Sequence, residues 1–118
     1  MVVLLASWVR TLVASVPWSM VGHPLMLRLH RSAYVIAVMS TLPWPAFTQN
    51  MEALKTRALP EIWKEGAKFK EASEKMQAEV AKLEAAAKTG TLDTIKAAFG
   101  AAGGSCKNCH DSFQAKAN

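Results

Sequence analysis

From Pro60 to Phe113 the chain keeps apolar side chains at helical spacing almost without interruption. That period leaves it little to form but packed helices. Ile62, Phe69, Met76 and Leu83 recur every seven residues, and Trp63, Ala72, Val80 and Ala87 widen the stripe into a core-facing band. The opposite face is Lys and Glu, with Glu71/Lys75 and Glu84/Lys88 four residues apart in the favourable order. Pro60 and Glu61 suit a first helical turn. The proline has no donor to waste there, and the carboxylate meets the positive end of the helix dipole. The spacing predicts one long helix from Pro60 to Thr89, stopped by Gly90.

Thr91 then caps a second helix, with Asp93 in its first turn. Leu92, Ile95, Phe99, Ala102, Cys106, Cys109 and Phe113 follow in alternating steps of 3 and 4, which predicts one continuous stripe. Gly100, Gly103 and Gly104 weaken a helix by about 1 kcal/mol each relative to Ala, and their small size lets another body approach closely. The link between the two helices is short enough to make them antiparallel neighbours. No period-two alternation occurs in the chain, so the fold class expected is all-α.

The second helix ends in Cys106-Lys107-Asn108-Cys109-His110. C-x-x-C-H is the attachment pattern for c-type haem. Two thiols three positions apart each form a thioether to a haem vinyl group, and the next residue offers an imidazole to the iron. Three other readings of Cys106 and Cys109 are available. A thioredoxin-type redox pair starts a helix after a strand, and this pair ends a helix in a chain without strands. A structural zinc site needs four ligands, and Cys106, Cys109 and His110 supply three, with His23 and His30 the remaining histidines. The bland reading is a surface histidine beside a chance pair of cysteines. There are no further cysteines, so a disulfide framework is not what holds the chain together. Phe69, Phe99, Trp63 and Met76 keep helical spacing and read as core. His30, His23, Met20, Met26 and Met39 are candidate sixth iron ligands without any spacing argument.

The charge is unevenly placed. Residues 1–50 contain Arg10, Arg28 and Arg31 and neither an acidic residue nor a lysine, within a net charge of +5 for the chain. Lysines alternate with glutamates along one helix instead of forming a basic stripe, which argues against nucleic acid as partner. The apolar run at the start resembles the central part of a secretory signal, yet lacks a basic region before it and an A-x-A cleavage site after it. Arg10 interrupts it as a membrane span, at roughly 2.5–3.5 kcal/mol on insertion scales. An atypical signal or anchor, a buried helix, and a non-native translated segment all remain open for 1–32, the last slightly favoured. A short helix is expected over 32–42, stopped by Pro43 and Pro45, followed by an irregular stretch to Leu59 containing Trp44 and Phe47.

The residues Leu59-Pro60-Glu61-Ile62-Trp63, Ile95-Lys96-Ala97-Ala98-Phe99-Gly100 and Cys106-Lys107-Asn108-Cys109-His110-Asp111-Ser112-Phe113 together resemble cytochrome c′, the class II c-type cytochromes. The likeness is specific over about 57–116, weaker over 33–56, where Leu42-Pro43-Trp44-Pro45-Ala46-Phe47 looks like the loop after the family's second helix, and absent over 1–32. It implies a four-helix bundle with one covalent haem c per chain. Cys106 and Cys109 would be the attachment points and His110 the axial iron ligand. It further implies a periplasmic protein, often a homodimer through its first two helices, whose open iron face admits NO or CO. Many members carry a basic residue just after the motif Phe; here that position is Gln114, which would alter how His110 is polarised.

The resulting expectation is an all-α, cytochrome c′-like bundle with its first helix atypical or missing. An atypical segment over 1–32 precedes a haem-binding helical domain over 33–118. The expected role is electron transfer in the periplasm, with NO/CO binding at an open iron position. The alternatives are a gas-binding or NO-sequestering module without electron-transfer duty, and a truncated or mis-framed fragment. No acid–base or nucleophilic constellation appears, so no enzymatic activity is expected.

Overall fold

The computed structural model describes residues 24–48 and 54–117. Its elements are α1 (Pro24–Met39), a single 3-10 turn (Trp44–Ala46), α2 (Glu61–Lys64), α3 (Gly66–Thr89) and α4 (Leu92–Phe113). The all-α expectation holds among the described residues. The one departure is an isolated antiparallel bridge between Ala58 and Gln114. None of the described helices is long and apolar enough to cross a membrane. The expected signal-like stretch, with Met20 and His23, lies outside the described residues.

α3 is the central element and packs against both α4 and α1. Val80, Leu83 and Ala87 of α3 meet Ile95 and Ala102 of α4 and Ala33 of α1 in one buried cluster. Val80 is 1 % exposed and lies deepest. Burying an aliphatic side chain of this size stabilises by about 1.5–3 kcal/mol. Met26, Leu29, Ala33 and Ala37 form the row of α1 that reaches this core, at the i, i+3, i+4 spacing of a helix face. The expected division between residues 32 and 33 falls inside α1, which begins well before the helix expected over 32–42.

The long helix expected from Pro60 is two helices. Glu65, at φ −113° and ψ 44°, breaks the run, and Gly66 begins α3. Glycine is the weakest helix former after proline, so the break falls where propensity is lowest. The turn buries Ile62 and lets the Trp63 indole N–H donate to the Thr48 carbonyl at 2.9 Å. Of the expected ion pairs, Glu84–Lys88 forms at 2.7 Å. Lys75 does not pair with Glu71; the pairs beside it are Lys70–Glu74, Lys68–Glu65 and Lys82–Glu79.

Gly90 ends α3, but in extended conformation, at φ −84° and ψ 171°, and not in the left-handed form of a usual glycine stop. Crowding explains the residue instead. A Cβ here would lie 2.5 Å from the Ala86 carbonyl oxygen and closer still to the Thr94 hydroxyl. Thr91 accepts the Thr94 N–H at 3.3 Å and so caps α4 as expected. Gly90→Ala should therefore destabilise the α3–α4 turn by about 1–3 kcal/mol, the usual cost of overpacking. A denaturant melt that moves by less than the error of the midpoint would show that the turn relaxes freely.

α4 corrects the single-stripe expectation. Ile95, Ala102, Ser105 and Phe113 are buried, Cys106 and Cys109 are half-buried, and Leu92 and Phe99 are exposed at 37 % and 64 %. The seven stripe positions spread over roughly 100° of arc at about 100° per residue, and α3 covers only one side of that arc. Leu92, Phe99, Cys106 and His110 occupy its outer edge. There Leu29, Ala33 and Ile36 of α1 and Ile95 and Phe99 of α4 wall an apolar groove of about 300 Å³. Phe99, expected in the core, is thus its exposed wall.

Candidate functional site

The C-terminal half of α4 carries the motif, and the segments around α2 and the 3-10 turn close over it. Cys106 and Cys109 are free thiols, both half-buried, and His110 is exposed. A helix sets the two cysteines nearly one turn apart, so both thiols lie on the same side of α4. Burial, together with the neighbouring Cys106, pushes the Cys109 thiol above its ordinary pKa. On the outer side, Lys107 donates to the Asp111 carboxylate one turn later. That bond above all, helped by the charges of Lys107, Lys116 and His110, holds Asp111 below its ordinary range against the opposing effect of desolvation.

Cys109 and His110 open into a cavity of about 440 Å³, within the usual span of small-molecule and cofactor pockets. Four aromatic rings build its apolar wall. Phe69 of α3 is the hub: its ring centroid lies 5.9 Å from Trp44, 5.0 Å from Phe47 and 5.3 Å from Phe113. All three contacts are edge-to-face, the arrangement the ring quadrupoles favour. Trp44 is fixed in turn by its indole N–H, which donates to the Ser40 carbonyl at 2.7 Å. Pro43, Ile62, Met76, Arg57, Ala58 and Gln114 complete the lining.

Backbone hydrogen bonds hold the far side of this cavity. The Leu59 N–H donates to the Phe113 carbonyl at 2.9 Å, and the Ala115 N–H to the Arg57 carbonyl at 2.7 Å. The Gln114 N–H donates to the His110 carbonyl at 3.0 Å, finishing α4. The segment before α2 and the chain just beyond the motif are therefore one short two-stranded patch beside His110.

The donor set fits a covalently attached porphyrin. It offers two half-buried thiols at helical spacing, an adjacent imidazole, and an aromatic cavity in which no described buried polar side-chain atom lacks a partner. Cys106, Cys109 and His110 would hold the group, and the rings would pack on it. The zinc alternative loses ground, since no three described His, Cys, Asp or Glu side chains gather closely enough to hold a metal ion. Of the sixth-ligand candidates, Met20 and His23 lie outside the described residues, and His30, Met26 and Met39 do not line the cavity. Met76, expected in the core, does.

The sequence reading missed Trp44, Phe47 and Arg57 as site residues. The first two stand in a stretch read as irregular, though their aromatic character against two prolines was a usable signal. Phe69, expected as plain core, instead faces the cavity, as does Phe113 at the end of the expected stripe.

Comparison with known proteins bears on this geometry. The family model described as cytochrome C′ matches residues 27–114. The chain is 45% identical over 82 residues to cytochrome c′ of Alcaligenes xylosoxydans xylosoxydans, covering 70% of this chain and 63% of that protein. It is 45% identical over 83 residues to cytochrome c′ of Rubrivivax gelatinosus, covering 70% and 64%. The matching stretch thus spans just under two thirds of either relative. Among solved structures, the nitric oxide complex of a leucine-to-alanine variant of cytochrome c prime from Alcaligenes xylosoxidans superposes with a TM-score of 0.72. Its sequence identity is 34%, over 91% of this chain and 78% of that one.

Proposed function

The chain belongs to the cytochrome c′ family of four-helix-bundle haem proteins, and from that premise we propose that it is a periplasmic electron-transfer protein, not an enzyme, whose iron also takes NO or CO. Cys106 and Cys109 carry the haem c, and His110 is its axial ligand. The observation that supports this best is the aromatic cavity into which Cys109 and His110 open together. Nitric oxide complexes among the related structures support the gas-binding part.

Bound haem supplies one-electron redox chemistry and a coordination position for a diatomic ligand. The chain's own residues do the rest. α4 spaces the thiols, and the bond from the Gln114 N–H to the His110 carbonyl fixes the backbone that presents the imidazole. Phe69, Trp44, Phe47 and Phe113 exclude water from the ring system, and a low-dielectric wall of this kind tunes an iron potential. Gln114 lines the same cavity beside His110 without a charge. The exposed apolar side chains of α1, among them Leu25, Leu27, Tyr34, Val35 and Met39, support self-association as a homodimer through that helix.

Carbon monoxide separates the two roles. Added to the reduced protein, it should shift the Soret band if the sixth position is open. An unchanged spectrum would remove gas binding from the proposal and leave electron transfer. Met76 would then be the described cavity-lining side chain able to fill that position, since a thioether is a known axial ligand.

A further inference from the structure

We propose that Arg57 binds a haem propionate and thereby fixes the edge of the haem relative to His110. This rests on the haem reading above and adds to it a residue that positions the ring by its carboxylate. Among the described residues that line the cavity of Cys109 and His110, Arg57 is the one with a permanent charge. The rest of that lining is apolar or neutral apart from the motif itself. A haem brings two carboxylates into such a cavity, and a carboxylate against aromatic rings needs a donor or water.

The guanidinium is held ready for that task. Its Nε and Nη2 donate to the Ala115 carbonyl at 3.1 and 2.9 Å. A guanidinium has five N–H donors in a rigid fork, so three remain, and they point where the fork, not a flexible stem, sends them. No described carboxylate pairs with Arg57. Its backbone is tied to the same stretch, the Ala115 N–H donating to the Arg57 carbonyl at 2.7 Å. The cation is therefore anchored to the chain just beyond His110 by three bonds, at the exposed rim of the cavity. A neighbouring cavity also touches Cys109, but its two lysines, Lys68 and Lys75, share it with Glu65 and Glu71, and Lys68 is paired to Glu65 at 2.7 Å. That side sets two carboxylates against its two cations and carries no net positive charge.

The test is the midpoint potential of the full-length, haem-loaded protein followed against pH. A cation beside a propionate lowers the acid's pKa by about 1–3 units. In the wild-type protein the acid-side inflection of the curve should lie below that of a solvent-exposed propionate. Arg57→Gln should raise the inflection by about one pH unit or more and lower the potential at neutral pH, because a positive charge favours the reduced iron. Arg57→Lys should restore most of both. A wild-type inflection at the ordinary carboxylate value overturns the proposal without any variant, and so does an Arg57→Gln curve that superimposes on the wild type while its melting point falls. That pattern leaves Arg57 a latch for the chain end alone. Failure of the wild-type chain to take covalent haem would instead bring down the haem reading, and this inference with it.

Discussion

Replacing both Cys106 and Cys109 with alanine should abolish covalent haem completely, so that a denaturing gel stained for haem shows a band for the wild type and none for the double variant. The expectation follows from what thioethers require. Attachment consumes one thiol per vinyl group, and the described chain holds two thiols, both on α4. Alanine is the best helix former and both positions are only half-buried, so α4 should keep its helicity. Circular dichroism of the apoproteins then separates loss of attachment from loss of fold. Each single variant should retain one linkage and a weaker stained band. Staining that survived in the double variant would sink the assignment of both cysteines.

The second large effect is expected at Phe69→Ala. One ring on α3 touches Trp44, Phe47 and Phe113, so its removal detaches the 3-10 turn and the end of α4 from each other. Phe→Ala in a core costs about 3–5 kcal/mol. Phe69 is half-buried, which places the expectation near the low end, about 3 kcal/mol, including three ring pairs of about 0.5–1.5 kcal/mol each. Phe69→Leu should lose roughly half as much, because it keeps most of the buried volume. Denaturant melts of the haem-loaded proteins give these differences. A loss under about 1 kcal/mol for the alanine variant would mean that the four rings do not hold the pocket together.

How far the sequence could be read depended on how local each cause was. α3 and α4 were legible because a period of 3.6 is written into consecutive residues, and the Thr91 cap because its partner Thr94 is three positions away. The attachment motif was legible for the same reason: its chemistry demands a fixed short spacing. What failed depended on partners distant in the chain. Period told which residues of α4 share an arc, but not that α3 covers only the half with Ile95 and Ala102 and leaves Leu92 and Phe99 outside it. Gly90 was read correctly as a stop for the wrong reason; neighbouring atoms, and not a left-handed backbone, demand glycine there. Arg57 could not be read at all, since its importance comes from Ala115, fifty-eight positions later. The break at Glu65 was half-legible, as Gly66 advertised it but the surrounding stripe overruled it.

The Ala58–Gln114 bridge also has a consequence in time. The α3–α4 hairpin turns on Gly90 and Thr91, so its contacts nucleate near one bend and zip outward, the kind of assembly that folds fast. The bridge instead joins residues separated by α2 and the whole hairpin. Closing a long loop costs entropy that grows with the logarithm of its length, and no reward comes until the ends meet. The order this favours is hairpin first and bridge last. During that interval α4 already spaces the two thiols, while the patch beside His110 has not yet shut, so the motif is shaped for its reagent before the door closes on it.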